Sequence, residues 1–239
     1  MTAATGQPGE ASLPAAETLL AALDADGYVR VPGLLHAAQC AELADMFEMP
    51  AAFRSHVHMA RHNFGRGEYK YFAEPLPPLV ARLRATCYPP LAAVANHWQE
   101  RLGLTSRYPA RLADYLARCH AAGQRRPTPL LLRYGAGDYN CLHQDRYGEE
   151  VFPLQLTVLL SAPGRDFNGG EFVLTEQRPR MQSRVAVVPL SQGDAVVFAV
   201  SARPAAGRRG YYRLNTRHGV SRLHGGERYA LGIILHDAQ

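Results

Sequence analysis

The chain has 239 residues, of which 47% are hydrophobic, and a formal net charge of +5 at pH 7. This length and composition suffice for one domain with a sizeable core. The sequence contains no apolar run long enough to span a membrane, and its first residues lack the basic and apolar segments of a secretory signal. We therefore expect a cytoplasmic protein without a membrane partner.

Charge and cysteine content narrow the class of protein only slightly. The positive charge comes almost wholly from arginine, because Lys70 is the only lysine. A basic surface is typical of proteins that bind nucleic acid, but biased codon usage explains an Ala- and Arg-rich chain equally well. The four cysteines are widely separated and form no CxxC pair, which predicts reduced thiols rather than disulfides or a cysteine zinc site.

The first half of the chain has mainly helical patterns. Residues 1–15 are rich in Ala, Gly, Pro and Thr without apolar periodicity, which predicts a disordered tail before a single domain over 16–239. The helical part of that domain covers 16–127, with one short strand predicted from Tyr28 to Val31. Five helices are predicted in this part. The first begins after Glu17, and the others cover 36–46, 77–87, a stretch that begins at Pro89, and 108–120.

From residue 128 the chain is divided into short β-rich runs by Gly, Pro and Asn. Strands are predicted over 130–134, 152–160, 171–174, 185–188, 195–200, 217–221 and 228–235. Such a series is typical of a double-stranded β-helix, the cupin-like jelly roll, in which two sheets protect their edges and enclose a cavity. We expect an α+β fold with this jelly-roll core over 128–238 and the N-terminal helices packed on it.

The triplet His143-Gln144-Asp145 is the first candidate for a metal site. Side chains two positions apart on an extended segment point the same way, so the imidazole and the carboxylate can bind one ion. A third ligand would complete a 2-His-1-carboxylate facial triad, which leaves the opposite face of the metal open for a co-substrate and oxygen. The best candidate is His218, in a short run late in the β region. An HxD triplet alone arises easily by chance, so the prediction depends on this triplet together with His218 and Arg228.

Arg228 is the candidate for binding an anion beside this site. It begins a predicted strand in which Ala230 and Gly232 share its face, and these small residues leave room for a ligand. A guanidinium binds a carboxylate through two hydrogen bonds. An arginine buried there without a partner would be strongly destabilising.

With these residues in place, the sequence resembles the 2-oxoglutarate/Fe(II) dioxygenase superfamily over residues 128–238. The resemblance is carried by Arg133-Tyr134, by Gly137-Asp138-Tyr139-Asn140 before the HxD triplet, by Asn168-Gly169-Gly170-Glu171, and by His218 and Arg228. More narrowly, the stretches 175–180, 211–221 and 232–238 look like the bacterial Oxygenase-NA family, which is predicted to demethylate damaged nucleic-acid bases oxidatively. We assign the Asn168-Gly169-Gly170 stretch no chemistry of its own, because it is most simply a hairpin turn.

The resemblance implies a role for each site residue. His143, Asp145 and His218 would bind Fe(II), Arg228 would pair with the distal carboxylate of 2-oxoglutarate, and Tyr134 would donate a hydrogen bond to that carboxylate. The implied reaction is oxidative decarboxylation of 2-oxoglutarate to succinate and carbon dioxide, coupled to attack on a substrate C–H bond. The enzyme would be an oxidoreductase.

Three functions stay open at this point. The first is hydroxylation or oxidative demethylation of an alkylated nucleic-acid base, as in DNA repair. The second is the same chemistry on a small molecule, an amino acid or a peptide, and the third is a non-catalytic jelly roll that binds a metal or ligand. The chain lacks the Arg-x-Asn-x-x-x-Arg signature that follows the distal histidine in well-known alkylated-base demethylases. A shared fold does not identify the substrate of an enzyme.

A second histidine cluster, His56, His58 and His62, precedes the β region. His58 and His62 have i, i+4 spacing on a possible helix, so a zinc site is conceivable there. The sequence places no carboxylate or cysteine beside them, and a solvated or substrate-facing segment is the alternative.

The segment 62–72 interleaves aromatic residues with cations, a mix that stacks bases and holds phosphates. We expect a lid over the iron site, with a glycine-hinged loop packed on the core as the alternative. Together with the pairs Arg125-Arg126 and Arg208-Arg209, the segment predicts a track for nucleic acid.

Overall fold

The computed structural model describes residues 12–146 and 148–239. Two antiparallel sheets pack against each other, and helices cover the larger sheet. This confirms the predicted jelly roll with N-terminal helices. Residues 1–11 of the predicted tail lie outside the described residues, and just after them Leu13 is buried against the core. No helix in the described part of the chain is both long and apolar enough to cross a membrane.

The described residues form α-helices and β-strands that are numbered here in chain order. The helices are α1 (Ala16–Asp26), α2 (Ala37–Asp45), α3 (Pro78–Arg101) and α4 (Leu112–Ala121). The strands are β1 (Tyr28–Val31), β2 (Phe53–His58), β3 (Gly65–Arg66), β4 (Glu68–Phe72), β5 (Leu130–Tyr134), β6 (Tyr139–His143), β7 (Leu154–Leu159), β8 (Phe167–Gly169), β9 (Phe172–Gln177), β10 (Ser183–Val188), β11 (Ala195–Ala199), β12 (Ala202–Gly207), β13 (Gly210–Val220), β14 (Leu223–Gly226) and β15 (Arg228–Ile233).

The major sheet has the order β1-β11-β7-β15-β5-β4-β2, and the minor sheet has the order β10-β9-β13-β6-β3, with β12 paired to β13. Strand β11 shows how the sequence produces this arrangement. Its side chains are buried on both faces. Ala195 and Val197 belong to the core beneath the helices, whereas Val196 and Phe198 pack with Phe172 of the minor sheet. An unbroken apolar strand therefore lies between the helical layer and the second sheet.

Helix α3 corrects a prediction, because it continues without a break through Pro89 and Pro90. The two prolines were expected to begin a second helix. The buried positions Cys87, Leu91 and Trp98 keep helical spacing across them, so one apolar stripe packs along the whole helix. That packing offsets the hydrogen bonds lost at the prolines, a penalty of about 3 kcal/mol in a helix interior.

Helix α4 begins at Leu112, four residues after the predicted start at Tyr108. The side chain of Asn96 explains the difference. Its Oδ1 accepts a hydrogen bond from the Tyr108 backbone N–H at 2.7 Å, and its Nδ2 donates to the Tyr108 carbonyl at 2.9 Å. Both backbone groups of Tyr108 are therefore engaged outside the helix.

The first half of the chain is less helical than predicted. Strands β2 and β4 extend the major sheet, and β3 lies at the end of the minor sheet. The predicted helix through His58 and His62 is instead the end of β2 followed by a 3-10 turn, Met59–His62. The alternation of residue types in β4 is a strand pattern: Tyr69 and Tyr71 face one side, and Glu68 and Lys70 face the other.

Additional strands in the second half, β6, β8, β12 and β14, lie outside the predicted set. The Asn168-Gly169-Gly170 stretch lies at the end of β8, which pairs with β14. Gly170 has φ 64°, and a Cβ there would lie 3.2 Å from Cδ of Arg228. This glycine thus combines a left-handed turn with a close approach to the buried arginine. All four cysteines are free thiols, as their spacing predicts.

Candidate active site

Two adjacent strands of the minor sheet bring the predicted metal ligands together. His143 is the last residue of β6, and it is the register partner of His218 on β13. Asp145 follows β6 by two residues. The pairing of β6 with β13 thus closes a sequence gap of 75 residues, 218 minus 143, and places both histidines at one end of the cavity between the sheets.

The three side chains form a compact metal-binding triad. Nε2 of His143 lies 3.4 Å from Oδ1 of Asp145, and Nε2 of His218 lies 3.3 Å from Oδ2 of the same carboxylate. The imidazole centroids are 4.2 Å apart. Ligands at metal–nitrogen and metal–oxygen distances of about 2.1 Å are separated by about 3 Å when they are adjacent in an octahedral shell. The spacing therefore fits one ion bound by all three residues.

Neighbouring groups orient these ligands. Nδ1 of His143 lies 2.8 Å from the carbonyl oxygen of Cys141, and because a carbonyl only accepts, this nitrogen carries the proton. The lone pair of Nε2 is then available for a metal. His218 packs beside the rings of Phe172 and Phe198, at centroid distances of 6.0 and 4.6 Å.

Gln155 on β7 is a site residue that sequence analysis missed. Its Nε2 donates a hydrogen bond to Oδ2 of Asp145 at 2.8 Å and lies 3.3 Å from Nε2 of His218. Gln144, between the first two ligands, points away and donates to the carbonyls of Ser201 and Thr216 at 2.8 Å each. The alternation along β7 could have identified Gln155, as a polar residue facing inward between Leu154 and Leu156.

The electrostatics of the triad keep Asp145 ionised. Burial by itself would raise the pKa of this carboxyl, but its interactions with the imidazoles of His143 and His218 outweigh burial and hold the pKa well below the usual range. The pKa of His218 is lowered, chiefly because burial disfavours the charged imidazole. An ionised carboxylate and a neutral imidazole are the forms that bind a transition metal.

Arg228 lies at the start of β15 and is 1% exposed. Its Nε has no hydrogen-bond partner, and within 12–146 and 148–239 no carboxylate forms an ion pair with its guanidinium. Burial lowers its pKa from an ordinary value of 12.5. A buried cation without an anion is strongly destabilising. An anionic ligand that enters the cavity would remove this penalty.

The walls near Arg228 have the predicted small residues. Ala230 and Gly232 line the same cavity as the triad, whereas Leu231 and Ile233, on the opposite face of β15, belong to the core beneath the helices. Tyr134 on β5 is the register partner of Arg228 and is fully buried, with the guanidinium carbon 5.6 Å from its ring centroid. The Tyr134 hydroxyl accepts a hydrogen bond from Asn140 at 3.3 Å.

The cavity has a volume of about 210 Å³, and its other wall is aromatic. Tyr69 and Tyr71 of β4 line it with their rings perpendicular and 5.5 Å apart. Met59 and Phe64 lie on the same side, and Phe64 is 47% exposed. The predicted lid segment therefore contributes an ordered strand wall, and Phe64 lies at the opening.

Other predicted residues lie elsewhere. Neither Arg125-Arg126 nor Arg208-Arg209 lines this cavity, and Arg208 borders a separate groove at the β12–β13 turn. The structure brings His56 and His58 beside Glu68, a carboxylate that the sequence did not place there. His62 is outside this group and stacks on Phe64 instead.

The jelly roll, its His-Asp-His triad and the family match define an oxygenase with a site that can hold a metal ion. The chain belongs to the Oxygenase-NA family, whose sequence pattern matches residues 67–238 and which is described as an oxygenase catalysing oxidative methylation of damaged DNA. Uncharacterized proteins from two strains of Mycobacterium tuberculosis, CDC 1551 and H37Rv, are each 50% identical to it over 167 residues, which is 70% of this chain and 72% of theirs.

Solved structures share the fold at low sequence identity. A prolyl hydroxylase from Trichoplax adhaerens, in complex with a hypoxia inducible factor peptide fragment, is 15% identical with a TM-score of 0.55, over 91% of this chain and 86% of that one. A 2OG-Fe(II) oxygenase family oxidoreductase from Burkholderia pseudomallei is 16% identical with a TM-score of 0.50, over 94% and 93%. These similarities establish the architecture, and they leave the substrate open.

Proposed function

We propose that this enzyme oxidatively demethylates an alkylated nucleic-acid base, with Fe(II) held by His143, Asp145 and His218. The observation that carries the proposal is the cavity itself, which is lined both by the metal triad and by the aromatic rings of Tyr69 and Tyr71. Aromatic side chains stack on bases, and a base must leave its helix or lie in a single strand to reach a buried metal. The family description, which names damaged DNA, supports the same substrate.

Arg228 and Tyr134 are the proposed binding groups for 2-oxoglutarate. The guanidinium of Arg228 supplies the buried positive charge that the distal carboxylate needs, and no acidic residue of the described chain lies within ion-pair distance of it. The Tyr134 hydroxyl accepts from Asn140, which leaves its own proton free to donate to that carboxylate. Burial raises the pKa of Tyr134 to about 12, so the hydroxyl stays protonated at neutral pH.

When bound, iron and 2-oxoglutarate supply the oxidation: one oxygen atom of O₂ enters succinate, and the other enters the C–H bond of the substrate. On an N-methyl group this gives a hydroxymethyl group, which breaks down to formaldehyde and the N–H base. The chemistry removes a methyl group rather than adding one. The chain's own residues hold the metal, orient the co-substrate through Arg228, and exclude water through the apolar wall.

Exposed arginines lie next to cavity residues in sequence, and their charge suits the phosphates of such a substrate. Arg146 directly follows Asp145, Arg217 directly precedes His218, and Arg66 follows Phe64 by two residues. All three are exposed, and none forms an ion pair with a residue that the structure describes. Phosphate contacts by free cations give affinity that is independent of sequence and falls as salt rises.

The direct test is formaldehyde release from a methylated single-stranded oligonucleotide in the presence of Fe(II), 2-oxoglutarate and oxygen. We expect formaldehyde and succinate in equal amounts, and the matched unmethylated oligonucleotide is the control. If methylated DNA and RNA oligonucleotides give no formaldehyde and bind without salt dependence, the nucleic-acid substrate is wrong. Hydroxylation of a small molecule, amino acid or peptide by the same site then becomes the leading function.

A further inference from the structure

A second group of metal-binding side chains lies on the face of β2 and β4 that is turned away from the cavity. His58 and Glu68 are register partners across these two strands, and His56 is two residues before His58 on the same face. His56 Nε2 contacts Oε2 of Glu68, and Nδ1 of His58 lies 3.9 Å from the same oxygen. The two imidazole centroids are 4.4 Å apart. One oxygen atom thus faces both histidines.

The carboxylate of Glu68 is held in this orientation by Arg133. Nε of Arg133 donates to Oε1 of Glu68 at 2.8 Å, and the second guanidinium nitrogen approaches the same oxygen. Oε2 is left facing the histidines. A carboxylate that binds a metal is usually oriented by a second hydrogen-bond partner, and Arg133 is such a partner for Glu68.

Two cations lie close to the cluster, and both also contact Phe47. Lys70 is the register partner of His56, but its Nζ donates to the carbonyl of Phe47 at 2.7 Å and lies 4.2 Å from the Phe47 ring centroid. The guanidinium of Arg133 also lies over that ring, at 4.6 Å, and pairs with Glu48. Both cations thus have a second contact at Phe47, and a metal ion would displace the proton that His56 Nε2 donates to Glu68.

We propose that His56, His58 and Glu68 bind a divalent transition-metal ion of the zinc type at a site separate from the iron triad. The ligand atoms all lie within 4.8 Å of one another. Tetrahedral zinc brings ligand atoms to about 3.4 Å from each other, and the two exposed imidazoles can make that small adjustment. Two histidines and a glutamate with a water in the fourth position are an established zinc ligand set.

The site lies on the back of the strand that carries the aromatic wall. Glu68 and Lys70 point outward from β4, whereas Tyr69 and Tyr71 point into the cavity. A metal bound there would fasten the edge strand β2 to β4. The ion would thus stabilise the wall of the cavity without touching the substrate, and its binding free energy would add to the stability of the folded state.

Zinc titration by isothermal calorimetry tests the proposal in a full-length chain that carries His143→Ala and His218→Ala, so that the iron site is disabled. We expect one remaining zinc ion per chain and a higher melting temperature when zinc is present. His56→Ala, His58→Ala and Glu68→Gln should each weaken zinc binding by more than ~10-fold, because loss of an outer partner alone costs about that much. Circular dichroism checks that each variant is folded.

His97→Ala is the matched control. Nδ1 of His97 lies 3.9 Å from the carboxylate of Glu100, the distance between His58 and Glu68, but no third ligand is beside it among the described residues. This variant should bind zinc like its parent. Absence of zinc binding, or binding that survives both His56→Ala and Glu68→Gln, overturns the proposal. If the iron-site variant does not fold, the wild-type protein should bind two zinc ions and His58→Ala one, and equal stoichiometry contradicts the site.

Discussion

The side-chain amide of Gln155 donates a hydrogen bond to Oδ2 of Asp145, and the same nitrogen lies 3.3 Å from Nε2 of His218. Gln155 is 3% exposed and extends from β7 in the opposite sheet. The carboxylate ligand is thus fixed from both sheets, by the two histidines of the minor sheet and by a glutamine of the major sheet.

Replacing Gln155 tests whether this contact positions the metal ligand. Gln155→Leu has nearly the same size but leaves Oδ2 of Asp145 without its donor, so we expect Fe(II) or Mn(II) affinity to fall by about 10–100-fold. Metal titration followed by intrinsic fluorescence measures this. Gln99→Leu removes a remote hydrogen bond to Tyr108 and should leave affinity unchanged. Equal metal affinity for Gln155→Leu and the wild type would show that Gln155 merely fills space.

Arg228→Lys tests the proposed 2-oxoglutarate site. Lysine keeps the positive charge but loses the planar fork that binds a carboxylate through two hydrogen bonds. We expect a higher apparent KM for 2-oxoglutarate, measured as succinate formation at saturating Fe(II). Arg209→Lys is the control, since Arg209 is exposed and outside the cavity lining. An unchanged KM for Arg228→Lys would move the carboxylate site to another residue, with Arg217 and Arg222 as the next to test.

The proposed stacking of bases on Tyr69 and Tyr71 leads to a separate prediction. Tyr69→Ala or Tyr71→Ala should weaken binding of single-stranded DNA by about 1–3 kcal/mol for each stacked base that is lost. Decarboxylation of 2-oxoglutarate without substrate should change little, because neither tyrosine is a metal ligand. Fluorescence anisotropy at several salt concentrations measures the affinity. Tyr211→Ala, at an exposed position far from this cavity's lining, is the control. Undiminished DNA affinity in both cavity variants would exclude stacking on this wall.

His236 gives a pH-dependent stability that does not involve the active site. Burial lowers its pKa from 6.5 to about 4, and its Nδ1 accepts a hydrogen bond from the Phe152 N–H. Between these two values the unfolded chain binds a proton that the folded chain does not. Stability is therefore lost as pH falls from about 6.5 towards 4, by up to about 1.4 kcal/mol per pH unit.

Urea unfolding at several pH values between 4.5 and 7 checks this expectation. His236→Asn keeps an acceptor for the Phe152 N–H but cannot gain a proton, so its free energy of unfolding should fall less steeply with pH than that of the wild type. His97→Asn, at a partly exposed histidine, should keep the wild-type slope. Parallel slopes for His236→Asn and the wild type would contradict the buried neutral imidazole.

The sequence was informative where chemistry and periodicity coincide. The HxD spacing, the distal histidine and the small residues that follow Arg228 have a direct geometric meaning on strands, and the structure brings the triad together as predicted. Alternation along β7 indicates which face Gln155 is on, but it does not reveal the partner of this side chain in the other sheet. Its role depends on the packing of one sheet on the other, which no local pattern encodes.

The other wrong predictions about the fold also arise because contacts between residues distant in sequence decide the structure. Pro89 and Pro90 are helix breakers by local rules, yet the packed stripe of α3 overrides them. The strands β2 and β4 contain no glycine, but Gly65 and Gly67 lie between them, a pattern that favours a glycine-hinged loop or lid over a strand pair. Gly67, with φ 117°, is required where a Cβ would lie 2.8 Å from the Tyr134 ring, a contact distant in sequence. The partnership of His58 with Glu68 likewise exists only once the strands pair.

We propose that His143, Asp145 and His218 hold the iron of a 2-oxoglutarate-dependent oxygenase. Succinate formation from 2-oxoglutarate, measured with and without Fe(II), tests it most directly. We predict iron-dependent succinate from the wild type and from His97→Ala, and none from His143→Ala, Asp145→Ala or His218→Ala, each with an unchanged circular dichroism spectrum. Succinate production by any one of these three variants, in folded form, would show that the replaced residue is not an essential iron ligand.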